Sequence, residues 1–165
     1  MQATQLAKIA LDNSRNWTIG LLTDMKNEPF AQPTDRGGNH PLWVLGHLTY
    51  SDSQLLDVFV LGKEHRFPEL EPLFGMTTQP GADAAAYPSM EELFEKNETM
   101  RAAVLEHLAK LSDADLDQRS HAPEELGDFF GTVGAVFLAM SIHYTFHGGQ
   151  VADARRALGR APLMA

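Results

Sequence analysis

Residues 133–158, VGAVFLAMSIHYTFHGGQVADARRAL, carry the most regular apolar period of the chain. Val133, Phe137, Met140, Tyr144, His147, Val151, Ala154 and Leu158 recur every three or four positions and so share one face of a helix. Gly159 and Pro162 then end it, the first by tolerating the left-handed turn of a helix terminus, the second by lacking a backbone N–H. The segment is nearly free of charge until Asp153, which predicts a helix packed within other helices.

The same period occurs three times upstream. Leu6, Ile9, Ala10, Trp17, Leu21 and Leu22 mark a first helix over about residues 3–26, closed by Pro29 and Pro33. Pro41 suits the first turn of a second helix, where its missing N–H is not needed. Val44, Leu45, Leu48, Leu55, Leu56 and Phe59 carry that helix toward Gly62. From 63 to 88 the period is broken by Pro68, Pro72, Pro80, Gly81 and Pro88, which predicts a long connection with at most a short helical turn. Ser89 and Glu92 read as a capping box opening a third helix, each side chain satisfying a backbone donor. Its stripe is Leu93, Phe94, Met100, Val104, Leu108 and Leu111, and SDADLDQRSHAPEELGD (112–128) is a second connection. No segment alternates as a strand would. The fold class is therefore all-α, a four-helix bundle with a long crossover between helices two and three, one domain over residues 1–165. So long a crossover lets neighbouring helices run parallel, and an up-down-up-down order is not required.

Composition narrows the function. Thirteen Lys and Arg against 22 Asp and Glu give a net charge of −9, and no basic block alternates with aromatics. Such a surface repels polyphosphate, so nucleic acid is not an expected partner. The chain has no cysteine, which excludes disulfides, thiolate zinc sites and a cysteine nucleophile. The N-terminus reaches Asp12 too soon for a signal peptide, and no run approaches the ~20 apolar residues of a membrane span. The expected location is the cytoplasm.

Seven histidines are present. His65, His107 and His121 lie in charged or loop-like surroundings, and His40 precedes Pro41 where capping or exposure explains it. His143 and His147 differ, because they fall on or beside the apolar stripe of the last helix. Two inward imidazoles need partners, and at a spacing of four they can converge on one ion at ~2.0–2.1 Å. His47, among Trp43, Val44, Leu45 and Leu48, adds a third nitrogen from helix two. Gly46 beside it suits close approach of another helix or access for a ligand. Three protein ligands leave a coordination position free, the arrangement of a catalytic site. Three hydrogen-bonded core histidines are the competing explanation. Two metal schemes are excluded: Tyr144 stands where H-E-x-x-H needs glutamate, and no Glu has His three residues on, as di-iron bundles require.

The pair WVLGH (Trp43 to His47) and HYTFHGGQ (His143 to Gln150), about a hundred residues apart, resembles the DinB superfamily. The resemblance covers nearly the whole chain. It implies a four-helix bundle holding a divalent metal through His47, His143 and His147, with homodimers common. It also implies a metal-dependent enzyme acting on a small-molecule substrate, as in relatives that are hydrolases or thiol-dependent transferases and isomerases. The family name does not imply DNA binding.

A metal there would lower the pKa of a bound water or of a thiol. With no cysteine in the chain, a thiol must arrive as a low-molecular-weight cosubstrate. Neutral imidazoles suit zinc, nickel or iron, and copper as well, so the ligands do not name the metal. Gln150 either orients a ligand or serves the helix end. Ser51 and Asn13 are pocket candidates, and Trp17 and Trp43 are expected in core or pocket wall. A non-catalytic metal-binding bundle and a protein-interaction bundle are the alternatives to an enzyme.

Overall fold

The computed structural model describes residues 1–163, and these form four long helices with shorter helical pieces in the connections. Helix α1 spans Ala3–Asp24, α2 Pro41–Ser53, the short α3 Glu71–Phe74, α4 Met90–Leu108, the short α5 Gly127–Phe130 and α6 Val133–Ala157. α2 runs on directly into a π-helical segment, Gln54–Val60, which the apolar period does not distinguish from ordinary helix. The described residues contain isolated β-bridges but no strand.

Local chemistry sets the ends. The His40 ring accepts from the Trp43 N–H and caps α2, with Pro41 in its first turn. Ser89 Oγ accepts from Glu92 N at 3.1 Å, and Thr132 accepts from Ala135 N at 3.2 Å. Only half of the expected Ser89 box forms: the Ser89 side chain accepts from the Glu92 N–H, while the Glu92 carboxylate lies 4.0 Å from Lys96. Gly62 (φ +61°) and Gly159 (φ +71°) take the left-handed conformation just past the second and last long helices.

The helices run up, down, down, up. Met90 and Leu93 at the start of α4 share a core cluster with Leu42–Leu45 at the start of α2. Met100, Val104 and Leu108 further along share another with Leu55–Val60. α2 and α4 are therefore parallel, which the crossover permits. Leu22 and Met25 meet the α2 start, so α1 opposes α2, while Asp24 pairs with Arg155 of α6 at 2.8 Å. α1 and α6 thus run alongside one another in the same direction. They approach closely at Gly148, where a Cβ would lie 2.7 Å from Thr18 Oγ1.

Between the two apolar clusters lies a polar layer. Arg15 Nη2 donates to Asn97 Oδ1 (2.9 Å), Asn97 Nδ2 to Tyr144 Oη (2.7 Å), and Tyr144 Oη to Asp52 Oδ2 (2.8 Å). The chain of bonds crosses α1, α4, α6 and α2, and all four side chains are buried. This layer explains a departure on α1. Leu11, Arg15, Thr18 and Leu22 face inward, whereas Leu6, Ile9 and Trp17 are 57%, 48% and 64% exposed. Arg15 and Thr18 can sit inside because they have buried partners, Thr18 Oγ1 donating to the Tyr144 carbonyl at 2.8 Å. An apolar count therefore misplaces Leu6, Ile9 and Trp17, whereas Leu22 of the same stripe is fully buried. Leu158, expected on the inner face, caps α6 and is 46% exposed.

Candidate metal centre

α2 and α6 place His47, His143 and His147 side by side. His47 Nε2 lies 3.2 Å from His143 Nε2, which lies 2.9 Å from His147 Nε2. One ligand-capable nitrogen from each falls within 4.8 Å of the others, near enough to bind one metal ion. His47 and His147 are buried and His143 is partly exposed. The i, i+4 spacing and the inward period bring the α6 pair together, and α2 delivers the third ring from across the bundle.

Two of the rings are oriented from behind. His47 Nδ1 lies 2.7 Å from the Phe74 carbonyl oxygen, which can only accept, so Nδ1 carries the proton and Nε2 its lone pair. His147 Nδ1 lies 2.8 Å from Gln150 Oε1, which also accepts from Asn39 Nδ2 at 3.1 Å. The His147 tautomer is fixed in the same sense. Trp43 stacks on His47 with ring centroids 4.6 Å apart and planes 11° apart. It is buried, as expected, and leaves His47 little freedom to turn.

Of the two purposes expected of Gly46, close approach of another helix and access for a ligand, the structure shows the first. A Cβ there would stand 2.3–2.5 Å from the Phe74 ring. The glycine lets the end of α3 lie against α2, which brings the Phe74 carbonyl to His47. Sequence reading missed Phe74, because a backbone acceptor carries no residue-type signal. It also missed Asn39, which lies just before the His40 cap.

Burial controls the charge of the cluster. It lowers the His143 pKa to about 3, helped by the neighbouring His147 and His47. Burial lowers His147 to about 4, against the Gln150 hydrogen bond, with His47 adding to the depression. His47 is lowered by burial, the Phe74 carbonyl opposing. All three rings are neutral at pH 7 and hold lone pairs as donors.

His47 and His143 open onto a cavity of about 620 Å³, lined also by Ser51, Gln54 and Phe59 of α2 and its π-helical extension. Ser51 is thus a pocket residue. Asn13 and Trp17 are not: they line a separate shallow groove between α1 and α6. Gln150 serves His147 rather than the cavity. The remaining histidines are structural or peripheral. His40 caps α2 and is fully buried, and His65 packs on Tyr50 and hydrogen-bonds its carbonyl oxygen at 3.0 Å. His107 is half-buried and His121 exposed.

No described helix is long and apolar enough to cross a membrane. A family model described as the DinB superfamily matches residues 10–151, which include all three histidines and their Phe74 and Gln150 acceptors. No curated protein matches the chain.

Proposed function

We propose, on the premise that the chain belongs to the DinB superfamily, that it is a metal-dependent enzyme whose His47, His143 and His147 hold one divalent ion and act on a small molecule. The observation that carries this is the convergence of three Nε2 atoms, with His47 and His143 at the wall of a cavity. Nitrogens bound to one ion at about 2.0–2.1 Å stand about 2.9–3.4 Å apart for angles between a right angle and the tetrahedral value. The separations of 2.9 and 3.2 Å fall in that range.

The donor chemistry supports the same reading. With Nδ1 protonated on His47 and His147, both offer Nε2 lone pairs toward His143. A neutral His143 has one ring proton and can satisfy only one of them. A hydrogen-bonded trio therefore leaves at least one buried lone pair without a donor, at a cost of about 1–3 kcal/mol. A cation would satisfy all three. The Phe74 carbonyl and Gln150 hold the rings in the required tautomers, as acceptors behind metal-binding histidines do. Burial keeps protons off the ligands, and Trp43 keeps the His47 ring in plane.

A divalent ion bound there supplies Lewis acidity to a water or thiol entering from the cavity. Zinc, nickel and iron all suit neutral imidazoles. A transferase reaction would take its thiol from a cosubstrate; a hydrolase would use water. Ser51, Gln54, Tyr50, Thr77 and Glu71 are polar groups of the cavity wall available to orient the substrate. The enzyme works in the cytoplasm, consistent with a cysteine-free chain. It works as a homodimer, a state supported by the exposed apolar stripe of Leu6, Ile9 and Trp17 on α1 with Leu138, Ile142 and Phe146 on α6.

Elemental analysis of protein purified without a histidine tag tests the metal. One ion per chain is expected, with loss in His47→Ala and His143→Ala; unchanged content in both variants sinks the ligand assignment. Thiol-transfer and esterase panels on the loaded protein, with the same variants as controls, then test for chemistry.

A further inference from the structure

We propose that the cavity selects an uncharged, lipophilic substrate, one that presents a single metal-binding head to the histidines and lays an apolar chain or ring along an aromatic wall. The inference rests on the metal reading above and adds the substrate class to it. The wall is built by Phe59 of the π-helical segment, Leu126, Phe129 and Phe130 at α5, and Ile142 and Phe146 of α6. Phe129, outside the α1–α6 stripe, is 73% exposed, so a ligand covering it removes apolar surface from water.

The charges argue the same way. No Lys or Arg lines the cavity, and its one carboxylate, Glu71, is exposed. An anionic ligand, such as a peptide thiol carrying free carboxylates, would find no counter-charge apart from the ion. It would also meet a chain of net charge −9. A neutral apolar ligand meets neither penalty. The volume of about 620 Å³ suits a small organic molecule rather than a polymer.

Binding, not turnover, provides the test. Zinc binding is measured first by direct titration. Zinc-loaded protein is then titrated calorimetrically with acetohydroxamate, hexanohydroxamate and glutathione. Hexanohydroxamate is expected to bind at least tenfold tighter than acetohydroxamate, against a ceiling of about fourfold per fully buried methylene. Glutathione is expected to bind more weakly than hexanohydroxamate. Phe129→Ser, a change at an exposed position, should shrink the chain-length gain while leaving zinc content unchanged. Equal affinity for the two hydroxamates, or tighter binding of glutathione, overturns the lipophilic class while the metal site stands.

Absence of zinc binding overturns the metal reading instead, and the cavity is then probed in the metal-free protein with the neutral fluorophore N-phenyl-1-naphthylamine. Enhancement that Phe129→Ser reduces and Trp17→Ser does not supports the lipophilic cavity, since Phe129 lines it and Trp17 lines the outer groove. No enhancement, or enhancement lost only in Trp17→Ser, overturns it.

Discussion

At the scale of the residue, the three histidines matter less singly than through what holds them. His147 points its Nε2 inward because Gln150 Oε1 accepts a hydrogen bond from Nδ1 at 2.8 Å. Gln150→Ala should therefore weaken zinc affinity by about 10–100-fold, as loss of such supports does elsewhere, with little change in helix content. Competition titration with a chelating dye measures it, and unchanged affinity would show that the glutamine serves only the helix end. The ligand-type residues were legible from sequence because imidazoles on an apolar stripe are costly without partners. Their supports were legible only in part. Gln150 lies three residues from His147 on the same helix and could be suspected. The Phe74 carbonyl could not, because its position depends on how the crossover folds back.

At the scale of the element, α2 and α3 meet through Gly46, and the fit has no slack. Gly46→Ala would push its Cβ into the Phe74 ring, which is fully buried and cannot swing to solvent. We expect a loss of about 1–3 kcal/mol of stability, the usual cost of overpacking, together with weaker zinc binding as the Phe74 carbonyl leaves His47. Thermal unfolding and the same dye titration read both effects; a stable variant with intact zinc affinity would contradict the packing argument. Helix positions were largely legible, since Pro41, Ser89, Gly62 and Gly159 mark ends that the structure keeps. The π-helical turn was not, because Leu55, Leu56 and Phe59 satisfy the ordinary period equally well. α1 was placed correctly, and Leu22 of its expected stripe is in the core, but Leu6, Ile9 and Trp17 face out. Its inward Arg15 and Thr18 find partners on α4 and α6, which the sequence of α1 alone does not reveal.

For the whole molecule, buried titratable groups bound the stable pH range from both sides. In the unfolded chain His143 and His147 take protons near 6.5, but in the fold only near 3 and 4. Metal-free protein thus loses stability as pH falls below about 6.5, because the unfolded state binds those protons first. Asp52 acts in the opposite direction. Burial raises its carboxyl from 3.8 to about 7, against the Tyr144 hydrogen bond and the Arg15 and Arg101 charges. Its contribution is complete below about 3.8 and is lost as pH rises through about 7. Asp52→Asn should therefore gain on the parent between pH 4 and 7, by up to about 1.4 kcal/mol per unit. Urea unfolding of the metal-free proteins at several pH values checks this; a constant difference would mean that Asp52 stays charged throughout. Assembly is the other property at this scale. Trp17→Glu should leave the fold intact and shift sedimentation from dimer to monomer, and a parent that already sediments as a monomer refutes the interface.

One pair of side chains ties these scales together. Ile142 and Phe146 line the histidine cavity and also the outer groove between α1 and α6. A ring held from the groove side is fixed for the cavity side too, so the two compartments share a party wall. If a second chain settles on the groove, ligand affinity and self-association become thermodynamically linked, each strengthening or weakening the other by the same factor.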